Sequence, residues 1–329
     1  MSNPIQQAKK FDEVVALKWQ QPLYESHYLK GNSPDGNRAF WIKHTLLCLG
    51  QDPSQRILEL WAMLFERGYP PIVTKAEIPW NQLELGAGPL ISCSFARFDS
   101  ERAWGSLADI RWDLSFHGGL GTLRHLPWSW LYSRFSPNAK AITPATNISF
   151  SGVFQMSGRT WDLENWVGLR GHNWSASHAY RYGWLATNLW DDGGSRALEG
   201  FVAQPRSWMP SIRRVVLRNS RGDHRRLGLQ RWTLGGLAEN RLELSFPWMH
   251  IQAEAPLEEF VNLIYRQPGG GRALCRCTKF AQVALTIGKK TVHSQAGELE
   301  FLDTTTALND NCHPHPDWTA EDGIYRSGD

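Results

Sequence analysis

The sequence predicts an all-β chain of antiparallel sandwiches or barrels, on three observations. Apolar and polar residues alternate with period two in runs spread from end to end. Clusters of turn-forming residues separate these runs. Helical periodicity is confined to a few short stretches.

The elements follow in order. The run Tyr24 to Lys30 leads into a Ser33-Pro34-Asp35-Gly36 turn. Ile57 to Phe65 fits either a buried strand or a helix, and its surroundings favour a strand. Ala108, Ile110, Trp112, Leu114 and Phe116 alternate with Asp109, Arg111, Asp113 and Ser115, as a half-buried strand requires. Ile148, Phe150, Phe154 and Met156 share a face, as do Leu242, Leu244 and Phe246, and Val283, Leu285 and Ile287. Pro127 to Tyr132 suggests a turn or two of helix. Pro256 opens a second short amphipathic helix through Leu257, Phe260, Val261 and Ile264, with Glu258 and Glu259 in its first turn. A boundary is expected between 190 and 210, near Asp192-Gly193-Gly194 and Pro205. It gives domains at 11–200 and 201–308, followed by a polar tail at 309–329.

Composition narrows the class of function. Of 329 residues, 42% are hydrophobic and 20% charged, which is ordinary for a folded globular chain. Thirty-five Lys and Arg against 32 Asp and Glu leave +3, which does not call for nucleic acid as a partner. No apolar stretch reaches membrane-spanning length, and MSNPIQQAKKFDE lacks the apolar core of a signal peptide. Five scattered cysteines (48, 93, 275, 277 and 312) fit reduced thiols and a cytoplasmic location. The unusual feature is aromatic, with 17 Trp, 14 Phe and 8 Tyr.

The densest chemistry lies between Gly171 and Trp184. In one extended strand, His172, Trp174, His178, Tyr180, Tyr182 and Trp184 share a face. Two imidazoles, two phenols and two indoles suit a pocket around a flat apolar ligand, since each polar tip needs a partner when buried. A broken strand dividing these aromatics between core and surface is the alternative. Glu25 and His27, two residues apart, lie side by side on a strand, as an acid–base pair or as a structural hydrogen-bonded pair. Arginines at 213, 214, 218, 221, 225, 226 and 231 form either a solvated hairpin or a surface for a diphosphate, an acidic partner or a membrane. The glycine runs at 118–121 and 269–271 lack the Lys-Ser/Thr of a phosphate loop. Cys275-Arg276-Cys277 and His313-Pro314-His315 lack second pairs for structural zinc, and no metal site is expected.

Tyr24-Glu25-Ser26-His27-Tyr28-Leu29-Lys30 with Asn32 to Gly36, Trp112 to Phe116, and Gly171-His172-Asn173-Trp174 with His178-Ala179 and Trp184 together resemble the AttH-like group. That group lies close to carotenoid 1,2-hydratases and, more distantly, tocopherol cyclases. The resemblance covers about residues 20–305 and implies two tandem lipocalin-like antiparallel β-barrels with a few short helices. It also implies a cofactor-free reaction in which an isoprenoid double bond is protonated and water or an internal hydroxyl captures the cation. His172 and Trp174 match the hydratases' His-x-Trp element. Their downstream Tyr-x-Asp has no counterpart, since Leu198-Glu199-Gly200-Phe201 stands there.

The expected activity is therefore acid-catalysed hydration, cyclisation or isomerisation of an isoprenoid- or polyketide-like molecule. His172 would relay a proton, Glu25 or Glu199 would donate it, and Trp174, Tyr182 and Trp184 would stabilise the cation. His27, His178, Tyr180 and Trp112 would complete the substrate site. The rivals are a non-catalytic carrier or sensor of an apolar metabolite, and a carbohydrate binder with tryptophans on its outer surface.

Overall fold

A computed structural model of the chain describes residues 13–18, 22–49, 53–86, 90–126, 128–132, 139–230 and 240–328. Alternating side chains sort the strands into two sheets, antiparallel except at one short pair. The first holds β1 (Leu23–Asn32), β2 (Arg38–Cys48), β3 (Arg56–Glu66) and β4 (Ile72–Pro79). Three short strands follow: β5 (Glu84–Leu85), β6 (Ile91–Cys93) and β7 (Ala96–Phe98). The sheet continues through β8 (Arg102–Leu107), β9 (Ile110–His117), β10 (Leu123–Arg124), β11 (Lys140–Met156) and β12 (Arg159–Ser175).

The second sheet begins with β13 (Arg181–Thr187), β14 (Arg196–Gln204), β15 (Ser211–Asn219) and β16 (Gly222–Gln230). It is completed by β17 (Arg241–Phe246), β18 (Met249–Glu254), β19 (Val261–Arg266), β20 (Arg272–Ile287) and β21 (Lys290–Asp303). Two short strands then tie the sheets together. β22 (Cys312–His313) runs parallel to β19 and pairs with it, and β23 (Tyr325–Arg326) pairs with β4 of the first sheet. The region expected to be a polar tail is thus a strap across both sheets.

One sheet curls into a half-barrel and the other into a nearly closed barrel, so the tandem-barrel expectation holds. Register shifts in β11 after Ile142, Thr146 and Phe150 bend this long strand with its partners. Gly168 allows β12 to close on β1, because a Cβ there would sit 1.9 Å from the Lys30 carbonyl oxygen. Each barrel encloses its own core, around Phe40, Phe98 and Phe150 in the first and Leu198, Leu244 and Ile251 in the second. A third cluster joins the sheets, with Trp41, Trp61 and Phe65 packed on Leu263, Tyr265, Cys275 and Phe280.

Ile57–Phe65 lies within β3, a strand as expected. The helix expected after Pro256 is a single 3₁₀ turn, Leu257–Glu259, after which Val261, Leu263 and Tyr265 alternate along β19. Pairing with β20 supplies backbone hydrogen bonds and buries that face, which overrides the helical spacing. Ser129–Tyr132 forms another 3₁₀ turn, with Pro127 outside the described residues. The chain crosses between sheets from Ser175 to Arg181, so the expected boundary near 200 falls inside β14. No described helix is long and apolar enough to span a membrane.

Candidate active site

Strand β1 serves two environments at once, because successive side chains point to opposite faces. Glu25, His27 and Leu29 face the interior of the first barrel, where Leu29 joins the core. Tyr24, Ser26 and Tyr28 face the second sheet and line a cavity between the two.

The inward cluster is tightly satisfied around one carboxylate. Glu25 Oε1 accepts hydrogen bonds from His27 Nε2 (2.9 Å), His172 Nε2 (2.8 Å) and the Val15 amide (2.8 Å), while Oε2 accepts from the Ala16 amide at 2.7 Å. Burial alone would raise this carboxyl, but the bonds from His172 and His27 outweigh it and hold it well below the usual range. Glu25 therefore stays ionised and is unsuited to deliver a proton to an alkene. Burial lowers His27 to about 3, helped by His172 and opposed by Glu25. These three residues place ligand atoms within 4.8 Å of one another. The imidazoles, however, stack 3.9 Å apart at 18° and both donate through Nε2 to the same Glu25 oxygen, which leaves neither of these nitrogens a lone pair for an ion. Neither Nδ1 has a partner among the described residues that would fix a metal-binding tautomer. Trp174 closes this cluster, 4.6 Å from His172, and Trp112 sits deeper in the same core.

The cavity encloses about 180 Å³. The first sheet contributes Tyr24, Tyr28, Trp41, Lys43, Ile142 and Asn173, and the second contributes Tyr182, Trp184, Phe201, Tyr265, Glu298 and Glu300. His178, in the crossover, stacks on Tyr24 at 4.0 Å and 18°. Burial, reinforced by the Lys43 charge, lowers this imidazole to about 3. The Tyr182 hydroxyl donates to Glu300, and burial together with that carboxylate raises the phenol well above its ordinary value. Glu298 is also buried, but Lys279 and Lys30 hold its carboxyl below the usual range. Burial lowers Lys30 to about 8.

The even-numbered face from His172 to Trp184 is thus divided. His172 and Trp174 belong to the first barrel, His178, Tyr182 and Trp184 line the cavity, and Tyr180 lies half-buried beside the crossover. The reason is the break after Ser175, where the chain leaves one sheet for the other. Glu199 is buried on β14, where its Oε2 accepts from Thr143 Oγ1 (2.7 Å) and lies 3.1 Å from His125 Nε2. His125, which also lines the cavity, packs edge-on to Trp184 at 4.9 Å. Sequence reasoning missed Tyr24, Tyr28, Trp41, Lys43, Tyr265, Glu298 and Glu300. The signal for the last two was their spacing, two apart beside Trp184 on paired strands.

The arginine-rich segment forms the β15–β16 hairpin at the edge of the second sheet, where Arg218 and Arg225 both pair with Asp223. Arg231 lies outside the described residues. The tryptophans divide, with Trp128, Trp130, Trp208 and Trp248 exposed and Trp41, Trp61, Trp112, Trp161 and Trp166 buried.

No family profile matches the chain. Two uncharacterised Mycobacterium tuberculosis proteins, MT0513 of strain CDC 1551 and Rv0493c of strain H37Rv, are 25% identical over 220 residues. Those matches span 59% of this chain and 62% of theirs, less than two thirds of either relative. Among solved structures, an AttH-type protein (NE1406) from Nitrosomonas europaea superposes with a TM-score of 0.63 at 14% identity, covering 91% of this chain and 96% of that one. This is the AttH fold. Kievitone hydratase from Nectria haematococca shares it at a TM-score of 0.56 and 9% identity, over 89% and 93% of the two chains. CghA shares it at 0.52 and 12% identity, over 88% and 90%.

Proposed function

We propose that the protein is a cofactor-independent enzyme of the hydratase or cyclase kind, moving protons on a small, flat, largely apolar molecule held between the two sheets. The observation that carries this reading is the hydrogen bond from Tyr182 to Glu300 at the wall of an aromatic cavity. Glu300 is the proton acceptor, and Tyr182 orients it and passes a proton along their shared hydrogen bond. The faces of Tyr24, Trp41 and Trp184 suit an electron-poor intermediate, and burial limits competing water. A volume of about 180 Å³ is below the roughly 300–1,000 Å³ of drug-sized sites. It accommodates the reacting part of an isoprenoid- or polyketide-like substrate more readily than a long chain. The name of kievitone hydratase, which shares the fold at low identity, supports the hydratase side of this reading.

A carrier without chemistry is the second reading. It draws on Glu25 and Glu298, both held ionised and unsuited to protonating an isolated alkene. The deciding experiment incubates the protein with a panel of small apolar alkenes, enones and polyenes in D₂O and follows them by mass spectrometry. Deuterium incorporation or a gain of water that disappears in Glu300→Gln supports the enzyme. Ligands that bind and return unchanged establish the carrier.

A further inference from the structure

The layer between the sheets contains several buried lysines, and three of them face carboxylates. Lys30 lies 3.6 Å from Glu298, Lys75 lies 2.7 Å from Glu59, and Lys279 contacts Glu298 directly. Lys43 differs. Among the described residues its Nζ has no ion pair and no hydrogen bond, although the residue is buried and lines the cavity. Its neighbours are ring faces, with the Tyr265 centroid at 3.8 Å and the Trp41 centroid at 5.3 Å. A buried amine with no acceptor at the wall of an aromatic cavity calls for a chemical partner.

We propose that Lys43 captures a carbonyl group, forming an imine with an aldehyde or ketone whose flat apolar body occupies the cavity. This rests on reading the cavity as a catalytic site, and it names the substrate class. The uncharged amine adds to the carbonyl carbon, so that a C–N bond forms and the C=O π pair moves to oxygen, which takes up a proton. Expulsion of that oxygen as water breaks the C–O bond and leaves Lys43–NH⁺=C. From the ammonium form the balance is one carbonyl consumed and one water released. Burial lowers the pKa of Lys43, which increases the fraction of free amine. Glu300, whose charge acts on Lys43, accepts the proton shed at the addition step and returns it to the departing oxygen, so that it is a carboxylate again once the iminium has formed. The Tyr265 and Trp41 faces then hold the cationic iminium.

The step also removes a chemical difficulty. Protonating an isolated alkene demands a strong neutral acid, whereas an iminium conjugated to a double bond withdraws electrons from it. Water then adds at the far carbon and loses its proton to Glu300, while the C=C pair shifts toward the imine and the C=N pair moves to nitrogen, leaving an enamine. That proton returns to the α carbon, and a second water breaks the C–N bond to release the hydrated carbonyl compound and the Lys43 amine. The substrates expected on this basis are α,β-unsaturated aldehydes and ketones.

The test uses the full chain and cinnamaldehyde as the probe. Protein and probe are mixed, reduced with sodium cyanoborohydride, digested and mapped by mass spectrometry. The expected result is a reduced adduct concentrated on the peptide bearing Lys43, ahead of exposed lysines such as Lys289. Lys43→Arg and Lys43→Met, each checked for native fold by near-UV circular dichroism, lose that adduct and keep the surface labelling. Labelling of Lys43 no stronger than that of Lys289 in the unmodified protein overturns the proposal without recourse to a variant. If labelling fails while Glu300-dependent deuterium exchange persists, the imine is refuted and the acid–base site stands. If both fail, the catalytic reading of the cavity falls as well.

Discussion

His27 lies flat against His172, with ring centroids 3.9 Å apart, and both turn Nε2 to the same oxygen of Glu25. The carboxylate thereby holds together the N-terminal turn at Val15 and Ala16 and the strands β1 and β12. Glu25→Gln keeps the shape but removes the charge that four donors share. We expect a loss of about 2–4 kcal/mol, the range for breaking a buried, charge-assisted network. Urea unfolding followed by tryptophan fluorescence measures it. An unchanged midpoint would show that the cluster is not structural.

Acid should destabilise the protein earlier than carboxylate titration alone predicts. His27 and His44 are buried and His178 is half-buried, and each is lowered from 6.5 to about 3, chiefly by loss of water around the ring. The unfolded chain takes up protons near pH 6.5 and the folded chain does not until about pH 3, so protonation favours unfolding throughout that window. Stability should fall on going from pH 7 to pH 5, by up to about 1.4 kcal/mol per pH unit for each such site. Thermal midpoints that stay flat across this range would contradict neutral burial of these imidazoles.

Tyr182→Phe and Glu300→Gln should reduce turnover of whichever substrate the panel identifies by about 10²–10⁴-fold, the usual contribution of general acid–base groups. Both changes conserve volume, so the unfolding midpoint should move little. A fall in KM-dependent binding with kcat unchanged would assign the pair to positioning, and equal activity would remove it from the mechanism.

Gly171→Ala offers a way to fill the cavity without replacing a lining side chain. A Cβ at this position would lie 2.0 Å from Tyr28 Cζ, so the phenol must swing aside. Ligand affinity should drop while the strands stay paired, because the clash is with a side chain. Isothermal titration with a bound alkene or enone, beside circular dichroism, separates the two effects. A loss of secondary structure would show instead that Tyr28 cannot move.

Much of the fold was legible because period-two alternation survives on strands with one buried face. The runs through Ile110–Phe116 and Leu242–Phe246 became β9 and β17 for that reason. The segment after Pro256 misled because Leu257, Phe260, Val261 and Ile264 satisfy helical spacing, while the competing alternation of Val261, Leu263 and Tyr265 is rewarded only by a partner strand. The site was half legible. Periodicity shows that Glu25 and Tyr24 face opposite ways, but not which of those faces meets a second barrel. Nothing local marks Lys43 as the neighbour of Tyr265, since that contact exists only once the sheets are packed.

The strap formed by β22 and β23 has a temporal consequence. The Val73 amide donates to Ser327 Oγ across 254 residues of chain, and Tyr325 pairs with Lys75 at the edge of the first sheet. A growing polypeptide emerges from the ribosome with β4 already made and its outer backbone groups unclaimed. That edge waits through synthesis of the entire second barrel before its own strand arrives. During that interval the newborn chain exposes an unpaired strand edge, a template on which a neighbouring chain can pair.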